Sequence, residues 1–143
     1  MGHINNSSEN AVINCHATGI INEQKRPTNG NIGGLIGRVL NGGIKDSSFT
    51  GIIRSHGGSY TGGLVGILDG STQKCWANAE TDAENTIRVG GFAGYIVGGS
   101  HAYNYTITNI ISASSEVGGF AGRTKGQMLN CWARGKVQGT SSV

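Results

Sequence analysis

Thiols, carboxylates and indoles are the side chains in this sequence that could do chemistry, and their spacing decides which could act together. Cys15, Cys75 and Cys131 are widely dispersed, with no Cys-x-x-Cys pair and no His at metal-ligand spacing beside them. An odd number of dispersed cysteines argues against a disulfide scaffold and for buried free thiols, which pack as small hydrophobes. The acids Glu9, Glu23, Asp46, Asp69 and Glu116 are scattered, and only Glu80, Asp82 and Glu84 alternate on one face of a short segment. Glycoside hydrolysis needs two carboxyl groups converging on one bond, and this distribution supplies no such pair. The acidic triplet could in principle hold calcium, but a solvated strand face explains it better, and neither metal nor cofactor is expected. His3, His16, His56 and His101 fall in different contexts and read as surface residues. Trp76 and Trp132, two repeats apart, are the candidates for a ligand: indoles with amide and cationic neighbours suit sugar rings or a protein partner.

What positions these residues is a repeat. The string Gly-Gly-apolar-apolar-Gly occurs at Gly33-Gly34-Leu35-Ile36-Gly37, Gly62-Gly63-Leu64-Val65-Gly66, Gly90-Gly91-Phe92-Ala93-Gly94 and Gly118-Gly119-Phe120-Ala121-Gly122. The strings recur at an even interval of about 28 residues, a period that marks a stacked-repeat architecture. These twelve glycines read as structural. Phosphate loops would need a Gly-Lys-Ser/Thr ending that none of them has.

A companion string falls between the glycine clusters and aligns residues 15, 47, 75, 103 and 131 as one column. That column and the one two residues on (Ala17, Phe49, Ala77, Tyr105, Ala133) are small or apolar, as alternate residues on the inner face of a strand should be. The column between them (His16, Ser48, Trp76, Asn104, Trp132) then points outward, with Arg134 two residues beyond. His16, Trp76, Asn104, Trp132 and Arg134 are therefore the expected ligand-binding set. The Leu35, Leu64, Phe92 and Phe120 column points inward. A threonine ladder of the kind that matches ice is interrupted by Asn78 and Arg134.

No segment carries the i, i+3, i+4 apolar spacing of a helix, so the expected fold is all-β: a parallel β-solenoid with about 28 residues per coil and four to five coils. At about 4.8 Å per coil it would be roughly 20–24 Å long, and right-handed by the general rule for parallel connections. A small antiparallel sandwich or propeller blade fits the even spacing less well. Residues 1–10 lack the string and read as an N-terminal cap or broken coil; residues 11–143 read as one repeat domain.

The strings resemble the GLUG repeat, through Gly34-Leu35-Ile36-Gly37 and Gly63-Leu64-Val65-Gly66, with Phe in the Leu place in the two later copies. The companion string of that family matches Val12 to Ile21 and Met128 to Val137 well. The resemblance implies a non-catalytic β-helical stalk or binding module of a secreted or cell-surface, adhesin-like microbial protein, and carries over no catalytic residue. A cell-surface glycan or protein is the expected partner, with end-to-end self-association or further coils of a longer chain as a second possibility.

Composition bounds the remainder. Of 143 residues 26 are Gly and 1 is Pro, and charged residues make up only 13%, yet the glycines fall in register with apolar residues, unlike a disordered chain. The net charge of +3 comes from 11 Lys and Arg without a cluster, which supports no nucleic-acid partner. No apolar run is long enough to span a membrane as a helix, and any secretory leader is expected upstream in a longer precursor. Sequons occur at Asn5, Asn6 and Asn104.

Overall fold

The computed structural model describes residues 2–5, 12–23 and 30–139. All regular structure in it is β-strand, arranged as a parallel β-solenoid of about four turns roughly 28 residues apart. Three parallel sheets run along the axis. One, the long sheet by its uniform eight- and nine-residue strands, holds His16–Glu23, Ser48–His56, Trp76–Glu84 and Tyr105–Ser112, with Trp132–Arg134 and Val137–Gly139 at its end. A narrow sheet stacks Asn31–Gly33, Tyr60–Gly62, Arg88–Gly90 and Glu116–Gly118. The third contains Ile36–Lys45, Val65–Gln73, Ala93–Gly98 and Ala121–Thr124. His3–Asn5 joins this third sheet, pairing with Arg38 to Leu40, so the segment expected to be a cap or broken coil adds a strand to the ladder. Met1 and residues 6–10, with Glu9 and the Asn6 sequon among them, lie outside the described residues.

The strings build the corner between the narrow and third sheets. Leu35, Leu64, Phe92 and Phe120 form one inner row: the Leu35 N–H donates to the Leu64 carbonyl (3.0 Å), Leu64 to Phe92 (2.8 Å) and Phe92 to Phe120 (2.7 Å). The Phe92 and Phe120 rings stack at 4.7 Å. The glycines permit that spacing. A Cβ on Gly63 would enter the space of the Gly91 carbonyl oxygen, and one on Gly91 that of the Gly119 carbonyl. Gly94, the last of its string, lets the third sheet lie against the narrow one: a Cβ there would stand 2.8 Å from the Thr61 nitrogen.

The main apolar cluster runs from Val12 to Ile96, with Ile36, Val39, Phe49, Ile53, Leu64 and Phe92 fully buried, each worth about 1.5–3 kcal/mol in burial, and buried Ser47, Ser55 and Thr61 are set among them. Further along the axis the interior turns polar: His101, Asn104, Thr106 and Thr108 are buried and hydrogen-bonded.

Candidate functional site

Local backbone geometry fixes where each candidate side chain points. The residue before each corner of the long sheet takes positive φ: Asn14 (53°), Asp46 (48°), Lys74 (53°), Tyr103 (57°) and Asn130 (51°). Asn and Asp tolerate this conformation better than other non-glycine residues. The next residue turns inward, giving the column Cys15, Ser47, Cys75, Asn104, Cys131. Asn104 thus stands where a Cys or Ser stands in other coils. Its Oδ1 accepts from the Cys75 N–H (2.9 Å) and its Nδ2 donates to Thr72 Oγ1 (2.8 Å), just as Ser47 Oγ accepts from the Cys15 N–H (3.1 Å).

Sequence expectations are corrected here. Asn104 is 0% exposed and belongs to no outward ligand-binding set, and the same burial removes its sequon from the surface. Tyr103, expected inside, is 51% exposed. The cause is one inserted residue. The register of Ala93–Gly98 on Val65–Gln73 shifts between Ile96 and Gly98, so the long sheet pairs Trp76 with Tyr105 in place of Asn104. The turn after Ser112 is one residue shorter, and the pairing of Arg88 with Glu116 restores the ordinary period. Glycine strings on either side therefore keep their spacing while the strand between them slips by one. His101 is the third correction: expected on the surface, it is buried in the column of Val12, Ile44, Thr72 and Met128.

The outward column consequently reads His16, Ser48, Trp76, Tyr105, Trp132. Trp76 and Tyr105 stack at 5.9 Å with 6° between their planes, and Tyr105 and Trp132 at 4.8 Å with 9°. Both faces of the Tyr105 ring are covered. Trp76 gives one face to Tyr105, and Trp132 (50% exposed) keeps only the face turned away from Tyr105. A sugar stacks on an aromatic face, not on a column of edges, so this ladder holds coils together more than it presents a platform. His16 is tied into the column through Ser48 Oγ (2.7 Å) and Asn14 Oδ1 (3.1 Å). Arg134 is exposed on the same face, paired in register with Ile107.

All three cysteines are free, Cys75 buried and the others half-buried. Burial pushes the Cys75 thiol up to about 11, so it is unreactive as a nucleophile near neutral pH. Among the described residues no group of three His, Cys, Asp or Glu side chains could hold a metal ion, and Glu80, Asp82 and Glu84 lie along one outward strand face.

A second outward feature lies at the corner that the glycine strings make. Tyr60, Arg88 and Glu116 follow one another on the narrow sheet, and Arg38, Ile67, Tyr95 and Arg123 on the third. The two rows touch. The Arg88 guanidinium lies 5.2 Å from the Tyr60 ring centroid and 4.6 Å from that of Tyr95, and it holds Glu116 at 2.7 Å. Beside Arg88 the Glu116 carboxyl is held below the usual carboxylate range. Sequence reading missed this cluster because its two rows come from different strands of each period, and only the fold brings them face to face.

Stacked coils, a Gly-Gly-apolar-apolar-Gly corner in each and a companion strand between them define a solenoid of GLUG-type repeats. A model of the GLUG motif matches residues 28–54, which contain the first glycine string and the second companion string; the chain carries the GLUG repeat. It is also similar to Halomucin of Haloquadratum walsbyi, with 32% identity over 151 residues that cover 96% of this chain. The chain spans about 2% of the length of that relative.

Proposed function

We propose that the chain is a non-catalytic solenoid segment of a secreted or cell-surface protein, a rigid stack of coils that carries an interaction surface. The observation behind this reading is that several titratable side chains are engaged by the coil above or below. Glu116 is paired with Arg88, His101 with Thr72, and Glu84 lies 3.5 Å from His56. The similarity to Halomucin, of whose length this chain spans about 2%, and the company GLUG repeats keep support the surface-located, repeat-bearing reading. Within the interaction reading, a glycan or protein partner meets the outward ladder at Trp132, whose outer face is free of Tyr105.

Incubation with a panel of polysaccharides tests the absence of catalysis: no new reducing ends should appear, and any turnover overturns the reading. The ladder is tested by Trp132→Ala. A ligand platform loses glycan binding at unchanged stability, whereas a structural ladder loses stability.

A further inference from the structure

We propose that the groove between the narrow and third sheets is a binding site for an acidic polysaccharide, one bearing carboxylates or sulfates along its length. The inference rests on the reading of the chain as an interaction-bearing segment, and names a ligand class and a place other than the tryptophan ladder. The groove runs parallel to the axis because its walls are two rows of residues in register, and the close approach at Gly94 and Gly122 makes the corner re-entrant. Contacts between the two rows close its floor, so that a polymer lies over these side chains and not between the sheets: Tyr60 and Tyr95 ring centroids are 5.8 Å apart, Arg88 lies against both, and Arg123 Nη1 is 3.8 Å from Glu116 Oε1.

Its charge is one-sided. Arg38, Arg88 and Arg123 face one Glu, a local balance of +2 (3−1) within a chain of net charge +3. Arg88 is committed, with its side chain 13% exposed beneath the two tyrosines and its Nε on Glu116. Arg38 is not: its Nε is buried with no hydrogen-bond partner among the described residues. That nitrogen is shut off from solvent and from a polymer, so a carboxylate or sulfate oxygen meets the outer end of the half-buried side chain, in the charge-assisted geometry that guanidinium groups favour. Among the described residues Arg123 makes only the long contact to Glu116. The two available guanidinium groups stand three coils apart, about 14 Å at the strand spacing, with Tyr60 and Tyr95 between them. Separated cations with aromatic surface between them suit an extended polymer of charged sugars. A nucleic acid, with a phosphate at every nucleotide, draws its affinity from many basic contacts, and two separated arginines supply too few.

The test is binding of the full chain to polygalacturonate and to dextran sulfate, with neutral dextran and a single-stranded oligonucleotide as comparisons. Both acidic polymers should bind, more weakly as salt rises, and neutral dextran should not. The double variant Arg38→Gln/Arg123→Gln should lose tenfold or more in affinity, while Trp132→Ala retains it. In the unaltered protein the Arg38 Nε–H resonance should shift on titration, a readout that does not depend on any variant folding. The groove is overturned if neither acidic polymer binds, if the oligonucleotide or neutral dextran binds as tightly, or if the double variant keeps full affinity. Loss confined to Trp132→Ala sinks the groove but leaves the interaction-bearing segment standing; cleavage of a polymer sinks the non-catalytic reading instead.

Discussion

His101 is held neutral by its neighbours. The Gly98 carbonyl can only accept, so Nε2 carries the proton and donates at 2.9 Å; Nδ1 then accepts from Thr72 Oγ1 at 2.9 Å, whose oxygen takes the Asn104 amide. Burial pushes the pKa of His101 down from 6.5, opposed by the Gly98 carbonyl. Between the folded value and 6.5 the unfolded chain binds more protons, so folding weakens as pH falls. Urea midpoints should hold above pH 6.5 and decline below it, and the decline should be shallower in His101→Gln; equal slopes would remove His101 from the account. Cys75 gives a second residue-scale expectation. In the native chain two thiols should react quickly with a disulfide reagent under mildly alkaline conditions and one slowly, all three becoming equivalent in urea. Fast reaction of Cys75 would contradict its burial. The glycines give a third. Gly91→Ala forces a Cβ onto the Gly119 carbonyl oxygen and should cost about 3 kcal/mol. Gly119→Ala, where a Cβ would stand 3.6 Å from the Ala133 Cβ, should be tolerated.

At the scale of the element, the long sheet is where sequence and structure part. The period, the inner Leu35, Leu64, Phe92 and Phe120 row, and the companion strands were all legible, because glycine corners and small inward residues recur in the chain itself. The slip at Tyr105 was not. A single extra residue enters where the register shifts between Ile96 and Gly98 and is taken out after Ser112, so both flanking glycine strings keep their spacing. The aromatic at 105, matching Trp76 and Trp132, carried the true register, against the spacing that favoured Asn104. The polar network around Asn104 also escaped notice, since each member is ordinary until the coils stack. Tyr105 sits between two rings, and aromatic pairs contribute about 0.5–1.5 kcal/mol each beyond burial. Tyr105→Ala should therefore lower stability by roughly 2 kcal/mol or more in denaturant unfolding, and Tyr103→Ala much less. A reversed order would restore the unslipped register.

Over the whole molecule each coil touches only its neighbours, so stability is a sum of coil and interface contributions. A lesion in one corner should be felt locally first: in Gly91→Ala, amide exchange should quicken most in Arg88–Gly90, Ala93–Gly98, Glu116–Gly118 and Ala121–Thr124, the strands that meet at that corner. The same stacking lines up groove, ladder and core as rows along one axis, and every site assignment inherits that register. It is tested most directly by nuclear Overhauser contacts in the intact chain. Ring protons of Tyr105 should contact both Trp76 and Trp132, and Phe92 should contact Leu64 and Phe120. Absence of Tyr105 contacts to the two indoles, or none along the Leu64, Phe92 and Phe120 row, would contradict the stacked-coil account.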